Sequence, residues 1–177
     1  MKNTIYLTGF MGSGKSTIGP ILANTLGWDF FDLDKIIENK TEKKIREIFE
    51  QHGESYFRKL ETDTLKEISG SNNVVVSLGG GTVANEENLE VLKKTGKIIY
   101  LKVSLETVYK RLRYKKDRPA LTKSDSENIN REEMVDRINK LMNKRAKYYE
   151  QADYIIDTDS GSIGKTIDKI VKIISQT

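Results

Sequence analysis

The chain alternates between short apolar runs and longer segments in which apolar residues recur at helical spacing. The short runs are rich in β-branched and aromatic residues, a composition that predicts buried strands. They span residues 4–8, 28–33, 74–78, 97–103 and 154–156. Helical periodicity follows each of them, so strand and helix alternate five times. This order predicts an α/β fold, in which a parallel sheet carries helices on both faces.

Two segments stand out from this alternation. Residues 35–69 are highly charged and have a helical pattern in two or three pieces, which Gly53 interrupts. Because this block is inserted between two predicted strands, it is a candidate substrate-binding segment. Residues 115–130 are polar and aperiodic, and long stretches of this kind inside a compact domain are usually functional or mobile. Pro20 lies past the first turn of the first predicted helix, where it should strain or kink that helix.

The first predicted strand runs directly into a glycine-rich loop. Residues 9–16 read Gly-Phe-Met-Gly-Ser-Gly-Lys-Ser and match G-x-x-x-x-G-K-[ST] at every fixed position. In such a phosphate-binding loop the glycines allow turns in which successive N–H groups surround an anion. Lys15 brings a positive charge to the outer phosphates of a nucleotide, and Ser16 offers a hydroxyl to Mg²⁺. The helix that begins here directs the positive end of its dipole at the same phosphates.

Asp32 and Asp34 lie at the end of the second predicted strand, and Gly79–Gly81 follow the third. Ligands of parallel α/β folds bind beyond the carboxyl ends of the strands, so these groups should lie close to the phosphate-binding loop. If the backbone stays extended, Asp32 and Asp34 project to the same side. One could then hold Mg²⁺ through water while the other orients an attacking hydroxyl. The same carboxylates could instead be plain helix caps.

Three arginines accompany these elements: Arg58, Arg118 and Arg145. Arginine can bind a carboxylate or a phosphate through two parallel hydrogen bonds. Taken alone, each of the three is more often a solvated surface charge, and exposed ion pairs contribute little. Residue type alone therefore leaves their role open.

Composition narrows the classes of function. With 177 residues the chain is long enough for one well-buried domain, and we expect a single domain over residues 1–177. There is no cysteine, which excludes a disulfide framework and a thiolate metal site. No apolar run approaches the ~20 residues of a membrane helix, and no leader pattern precedes the first strand. We therefore expect a cytoplasmic protein without membrane contact, and a monomer, because no exposed apolar stripe is evident. The net charge of +4 invites a nucleic-acid hypothesis, but no recognition motif accompanies it.

Six blocks together resemble the shikimate kinase family. They are Gly9-Phe-Met-Gly-Ser-Gly-Lys-Ser-Thr17, Phe31-Asp-Leu-Asp34, Gly53-Glu-Ser-Tyr-Phe-Arg-Lys-Leu-Glu61, Ser77-Leu-Gly-Gly-Gly81, Arg118-Pro119, and Arg145-Ala-Lys-Tyr-Tyr149 followed by Ala152-Asp153. The chain departs from the family pattern at Pro20, where arginine is common, and at Ala120, where leucine is usual. The segment 157–162 also lacks the basic residue often found against adenine, so adenine contacts there are not carried over.

The resemblance implies transfer of the γ-phosphoryl group of ATP to the 3-hydroxyl of shikimate, in the route to chorismate and the aromatic amino acids. It implies a three-layer P-loop kinase fold, like that of nucleoside monophosphate kinases, with five parallel strands in order 2-3-1-4-5. Residues of about 35–69 would form the substrate-binding segment, and about 115–130 a lid that closes over the site.

The matching motifs also assign roles to residues. Those expected at the nucleotide are Gly12, Ser13, Gly14, Lys15, Ser16, Thr17 and Arg118. Arg111 belongs to none of the motifs, but its place on the helix before the lid makes it a candidate to stack on the nucleotide. Shikimate would be held by Asp34, Arg58, Gly79, Gly80, Gly81 and Arg145. Lys15, Asp34 and Arg118 would act in catalysis. Asp34 would contact the substrate hydroxyls and is itself a candidate base. Ser16 would bind Mg²⁺ directly, and Asp32 would bind it through water.

Three other hypotheses stay open on the sequence. A kinase of another small hydroxy acid, such as gluconate, would share the loop and fold but would not need the Phe57-Arg58-x-x-Glu61 and Gly79–Gly81 blocks together. A nucleotide-dependent switch that phosphorylates nothing would be favoured by the loss of a carboxylate after the second strand, yet both are present. Nucleic-acid binding through residues 110–118 would show a steep salt dependence.

Overall fold

The computed structural model describes residues 3–113, 130–159 and 161–176. Within these ranges the strands are β1 (Thr4–Thr8), β2 (Asp29–Asp32), β3 (Val74–Ser77), β4 (Lys97–Lys102) and β5 (Tyr154–Asp157). The helices are α1 (Lys15–Leu26), α2 (Leu33–Thr41), α3 (Ile45–Ile68), α4 (Glu86–Thr95), α5 (Leu105–Leu112), α6 (Arg131–Tyr149) and α7 (Ile163–Ser175). A short 3₁₀ turn, Thr82–Ala84, follows β3 and has no counterpart in the sequence-based prediction.

All five strands are parallel and follow the order β2-β3-β1-β4-β5. The predicted sheet and its strand order are therefore confirmed. The central strand β1 is buried along its whole length, as expected for a strand covered on both faces. Its carboxyl end opens into residues 9–14, which places the phosphate-binding loop at the middle of one edge of the sheet.

Alternate side chains of the strands feed two separate cores, because successive residues of a strand point to opposite faces. On one face Tyr6, Val76 and Ile98 pack with residues of α2 to α6. On the other face Ile5, Leu7 and Ile99 pack with α1 and α7. The result is the predicted three-layer arrangement, with the sheet between two helical layers.

The segment predicted as helical over residues 35–69 forms α2 and α3. Gly53 lies inside α3 with φ 80° and ψ 173°, so the predicted interruption of the helix is confirmed. The expected disturbance at Pro20 is not seen as a break, because α1 continues through it to Leu26. Because proline has no N–H, the Ser16 carbonyl loses its helical donor. Both Pro20 and Ser16 are exposed, so water can supply the missing hydrogen bond.

One geometric expectation is wrong. The second strand ends at Asp32, and α2 begins at the next residue, so Asp34 lies in the first turn of a helix. The two aspartates therefore do not project side by side from an extended backbone. Apart from Asn130, the segment predicted as a lid lies outside the described residues, and so does Arg118. Among the described residues, no helix combines the length and apolar character that a membrane span requires.

Candidate active site

A cavity of about 1290 Å³ opens at the carboxyl ends of β1, β2 and β3. Every predicted site residue that the structure describes lines it. These are Gly12, Ser13, Gly14, Lys15, Ser16, Thr17, Asp32, Asp34, Arg58, Gly79, Gly80, Gly81, Arg111 and Arg145. The predicted convergence of the loop, the aspartates and the glycine run is therefore observed. Glu61 also lines the cavity, although the sequence analysis assigned it no role.

The phosphate-binding loop has the backbone conformation that its glycines allow. Gly12 and Gly14 have φ of 80° and 103°, a region that side chains disfavour. As the N-cap of α1, Gly14 offers no side-chain acceptor to the first amides of the helix, which remain available to an anion. The Lys15 ammonium donates to the carbonyls of Gly9 and Phe10, at 2.7 and 3.2 Å. The loop thus carries a cation that it has already positioned.

Asp32 is the N-cap of α2, and its side chain accepts a hydrogen bond from the Lys35 amide at 3.2 Å. The structure therefore shows that this carboxylate caps a helix, which was the alternative role given in the sequence analysis. The cap uses Oδ1, and the residue still lines the cavity. A capping role and a role at a bound cation are compatible, because a carboxylate has two oxygens and several acceptor positions.

Asp34 lies in the first turn of α2, two residues after Asp32, and is partly buried. Burial raises the pKa of its carboxyl from 3.8 to about 6, and the charges of Glu61, Asp32 and Glu38 add to this effect. The Lys15 ammonium opposes the rise but does not cancel it. A carboxyl with a pKa near neutrality suits the uptake of a proton from an acceptor hydroxyl.

Arg58 and Glu61 form an ion pair that lines one wall of the cavity. Glu61 is fully buried, whereas the Arg58 side chain is 26% exposed, and their Nη1 and Oε2 atoms are 2.8 Å apart. Arg58 also donates from Nη2 to Glu54 Oε1 at 3.2 Å. Burial alone would lower the pKa of Arg58, but the two carboxylates raise it above its ordinary value. The guanidinium is thus a permanent cation with a fixed orientation.

The glycine run after β3 lies directly against these charged groups. A Cβ on Gly81 would lie 2.7 Å from Arg58 Nη2, and one on Gly79 would lie 2.8 Å from Glu61 Oε1. A Cβ on Gly80 would come within 3.2 Å of Arg145 Nη1. These positions are restricted by space, because any side chain would displace the arginines and carboxylates that surround the run.

Arg145 approaches the same run from α6. Its guanidinium carbon is 6.0 Å from the centre of the Phe10 ring, and it hydrogen-bonds the hydroxyl of Tyr149. That hydroxyl in turn donates to the Gly80 carbonyl at 2.5 Å. Burial raises the pKa of Tyr149 to about 12, so the phenol keeps its proton and remains a donor. Tyr149 belongs to the Arg145-Ala-Lys-Tyr-Tyr149 motif, which was the only sequence signal for it.

Arg111 lies on the nucleotide side of the cavity. It is exposed, and its Nη1 donates to the Gly12 carbonyl at 2.6 Å. Thr158, Gly161 and Ile163 line the cavity near the same end of the sheet. Contact between Arg111 and the nucleotide, which its place on the helix before the lid suggested, stays a prediction.

This arrangement has two halves with different chemistry. One half is a phosphate-binding loop with a lysine, and the other combines two guanidinium groups, a carboxyl of raised pKa and a tightly packed glycine run. Such a site can place a small anionic acceptor beside a nucleoside triphosphate, and phosphoryl transfer depends mainly on positioning and charge neutralisation. Fold and site together define a P-loop kinase of a small anionic molecule.

Comparison with known proteins identifies the family. The family model described as shikimate kinase matches residues 11–175. A shikimate kinase of Chlorobaculum parvum is 46% identical over 172 residues, which cover 97% of this chain and 92% of that relative. The crystal structure of shikimate kinase from Bacteroides thetaiotaomicron superposes with a TM-score of 0.89 at 35% identity, covering 98% of both chains.

The structure of the Acinetobacter baumannii enzyme in complex with shikimate also gives a TM-score of 0.89 at 35% identity, over 99% of this chain and 94% of that one. The chain belongs to the shikimate kinase family. Its activity is the ATP-dependent phosphorylation of shikimate at the 3-hydroxyl, with ATP as co-substrate. Membership of this family favours shikimate over a gluconate-type acceptor as the substrate. It also decides against a nucleotide-dependent switch without kinase activity.

Proposed function

We propose that shikimate is held by Arg58, Arg145, Asp34 and the run Gly79–Gly81. The observation that supports this most directly is the approach of both guanidinium groups to one glycine run, next to the carboxyl of Asp34. A shikimate carboxylate needs cationic donors, and a planar guanidinium can donate two parallel hydrogen bonds to it. The glycine backbone allows the substrate ring to approach closely, because no side chain fills the space.

On the nucleotide side, we propose that the loop amides and Lys15 bind the phosphates of ATP. The Arg111 side chain would contact the nucleotide next to Gly12. Arg118 lies outside the described residues, and its proposed role at the transferring phosphate rests on the sequence motif alone.

The oxygen donors fit a hard cation such as Mg²⁺, which usually keeps several waters and binds one or two protein groups plus phosphate oxygens. The Ser16 hydroxyl would bind Mg²⁺ directly and Asp32 through water. Bound there, Mg²⁺ would neutralise charge on the phosphates of ATP. In the described ranges, no group of three or more His, Cys, Asp or Glu side chains is arranged to hold a metal ion.

Asp34 is the group placed to orient the acceptor hydroxyl and to accept its proton. Its raised pKa and its approach to the Gly79 side of the pocket support this role. The single-domain organisation, the monomeric state and the cytoplasmic location expected from the sequence stay predictions.

The test of these assignments is ADP release in the presence of Mg·ATP and a panel of acceptors: shikimate, quinate, gluconate, a nucleoside monophosphate, and none. Release that depends on shikimate, and that Arg58→Met and Arg145→Met each reduce through a higher KM for shikimate, supports the proposed substrate side. Unchanged KM values in both variants would contradict it. As a matched control, Arg46→Met removes an arginine that pairs with Glu50 on the same helix as Arg58.

Tyr149→Phe is expected to raise the KM for shikimate about three- to tenfold, the effect of losing one ordinary hydrogen bond of about 1 kcal/mol. The phenol joins Arg145 to the Gly80 carbonyl, so its loss loosens the guanidinium while the ring keeps its stacking on Tyr100 at 5.0 Å. Steady-state kinetics with each substrate varied would measure this.

The matched control for that variant is Tyr6→Phe. Tyr6 is also a buried tyrosine with a bonded hydroxyl, but its partner is Thr95, away from the cavity. Tyr6→Phe should reduce stability without a change in the KM for shikimate. If both variants change this KM equally, the effect of Tyr149 is a general consequence of losing a buried hydroxyl.

A further inference from the structure

We infer that Thr82 is a positioning residue for shikimate binding, because its hydroxyl fixes the carboxylate that orients Arg58. The inference rests on the proposed role of Arg58 and extends it to a residue that does not line the cavity. Thr82 begins the 3₁₀ turn after the glycine run and is fully buried. The sequence gives no sign of this role.

The two oxygens of Glu61 have separate donors. Oε2 accepts from Arg58 Nη1 at 2.8 Å, and Oε1 accepts from the Thr82 hydroxyl at 2.5 Å. Although Glu61 borders the cavity, its side chain has no exposed surface, so each of its oxygens depends on its protein donor. The Thr82 hydroxyl therefore holds one end of the carboxylate, while the other end faces the guanidinium.

The hydroxyl is itself held in place by two backbone contacts of Thr82. Its amide donates to the Gly79 carbonyl at 3.2 Å, and its carbonyl accepts from Asn88 Nδ2 at 3.1 Å. Asn88 is fully buried at the start of α4. The chain of contacts thus runs from α4 through the turn to Glu61 and then to the guanidinium in the cavity wall.

Loss of the hydroxyl would leave Glu61 Oε1 as a buried charged acceptor without its donor. The carboxylate would then rotate to share Arg58 between its two oxygens, and this rotation alters the direction of the guanidinium. Arg58 also packs within 3.0 Å of the Cβ position of Gly81, so a small rotation changes the shape of the wall. The expected consequence is weaker shikimate binding with little change at the nucleotide half.

The test is Thr82→Val, which replaces the hydroxyl with a methyl group of similar size. We expect the shikimate dissociation constant, measured by calorimetry without nucleotide, to rise about tenfold, and the KM for ATP to stay within about twofold of the wild-type value. Thr82→Ser keeps the hydroxyl and should restore binding to within about twofold. Wild-type shikimate affinity in folded Thr82→Val would overturn the inference.

A double-mutant cycle with Arg58→Met separates a positioning role from a general structural one. If Thr82 acts through Arg58, Thr82→Val should weaken binding by less than about twofold once Arg58 is methionine. An equal effect in both backgrounds would overturn the inference. Wild-type affinity in Arg58→Met alone would instead overturn the proposed role of Arg58, so the two failures are distinguishable.

Thr4→Val is the matched control for folding. Thr4 is likewise buried, and its hydroxyl donates to the Ser71 carbonyl at 2.8 Å at the opposite end of the sheet. Thr4→Val should likewise lower the thermal unfolding temperature, because it also loses a buried hydroxyl, but shikimate binding should be unchanged. If Thr4→Val weakens shikimate binding as much as Thr82→Val does, loss of stability explains both results and the inference fails.

Discussion

Lys15→Ala is expected to lower kcat/KM for shikimate phosphorylation at least about a hundredfold, since removing one charged donor from a transition state commonly costs 10²–10³. The ammonium is held by the carbonyls of Gly9 and Phe10 at 2.7 and 3.2 Å. It therefore stands at the positive end of α1 without needing to reorganise when phosphates arrive. Phosphoryl transfer gains most of its rate from such positioned charge. Steady-state kinetics with Mg·ATP would measure the loss.

Two controls sharpen this result. Lys15→Arg keeps the positive charge but replaces a compact ammonium with a planar fork, so most of the loss should remain. Lys94→Ala removes a lysine of α4 that is 75% exposed and pairs with Glu90, and its activity should equal that of the wild type. Shikimate affinity measured without nucleotide should be nearly unchanged in Lys15→Ala. Activity of that variant within tenfold of the wild type would contradict the assignment of the loop.

Local sequence patterns predict the helices and strands of this fold well, because the hydrophobic spacing within each segment matches the helix or strand that it forms. Residues Val74–Ser77 are a continuous buried strand that lies within the predicted span 74–78. Gly53 interrupts α3 where expected. The order of the strands cannot be predicted from such patterns, because periodicity does not say which strands are neighbours in the sheet. The order β2-β3-β1-β4-β5 came from the family resemblance and not from the pattern.

The site was predicted as a set of residues but not as a set of interactions. Sequence placed Asp32 and Asp34 on one extended strand, whereas the first caps α2 and the second lies within it. The error arose because a strand-to-helix junction can move by one or two residues without changing the hydrophobic pattern. Both aspartates still line the cavity, since the first turn of the helix remains at the same edge of the sheet.

The hydrogen bond between Thr82 and Glu61 was not predicted from the sequence, and the reason is physical. Thr82 and Glu61 are 21 residues apart, and their hydrogen bond depends on the packing of α3 against the turn after β3. A buried pair of this kind leaves no periodic signal, because each residue looks ordinary within its own element. The pair Arg58 and Glu61 does leave a periodic signal. These residues are three apart on a helix, and this spacing places both side chains on one helical face.

Asp34→Asn is expected to lower kcat by about 10²–10⁴, the usual contribution of a positioned general base. The wild-type carboxyl has a pKa raised to about 6, mainly by burial and then by Glu61. Since the ionised form is needed to accept a proton, wild-type kcat/KM should fall below about pH 6, tenfold per pH unit. The variant should lack this acidic limb in a pH–rate profile. Asp136→Asn, which alters an exposed carboxylate of α6 paired with Lys140, should keep it.

Removal of the same carboxyl should make Asp34→Asn more stable than the wild type at neutral pH. Between pH 3.8 and about 6 the folded protein keeps a proton on Asp34 that the unfolded chain releases. The free energy of unfolding of the wild type therefore falls as pH rises through this interval. A shift of about two pKa units corresponds to at most about 3 kcal/mol, so Asp34→Asn should gain about 1–3 kcal/mol at pH 7.5 and little at pH 4.

Denaturant unfolding of wild type and variant at these two pH values measures the difference. Equal gains at both would show that the amide stabilises the fold by packing and not by removing a buried charge. Higher stability at pH 7.5 together with lost activity would show that the site retains a carboxylate at the expense of the fold, as expected where a buried group serves the reaction. Stability equal to that of the wild type at both pH values would contradict the raised pKa of Asp34.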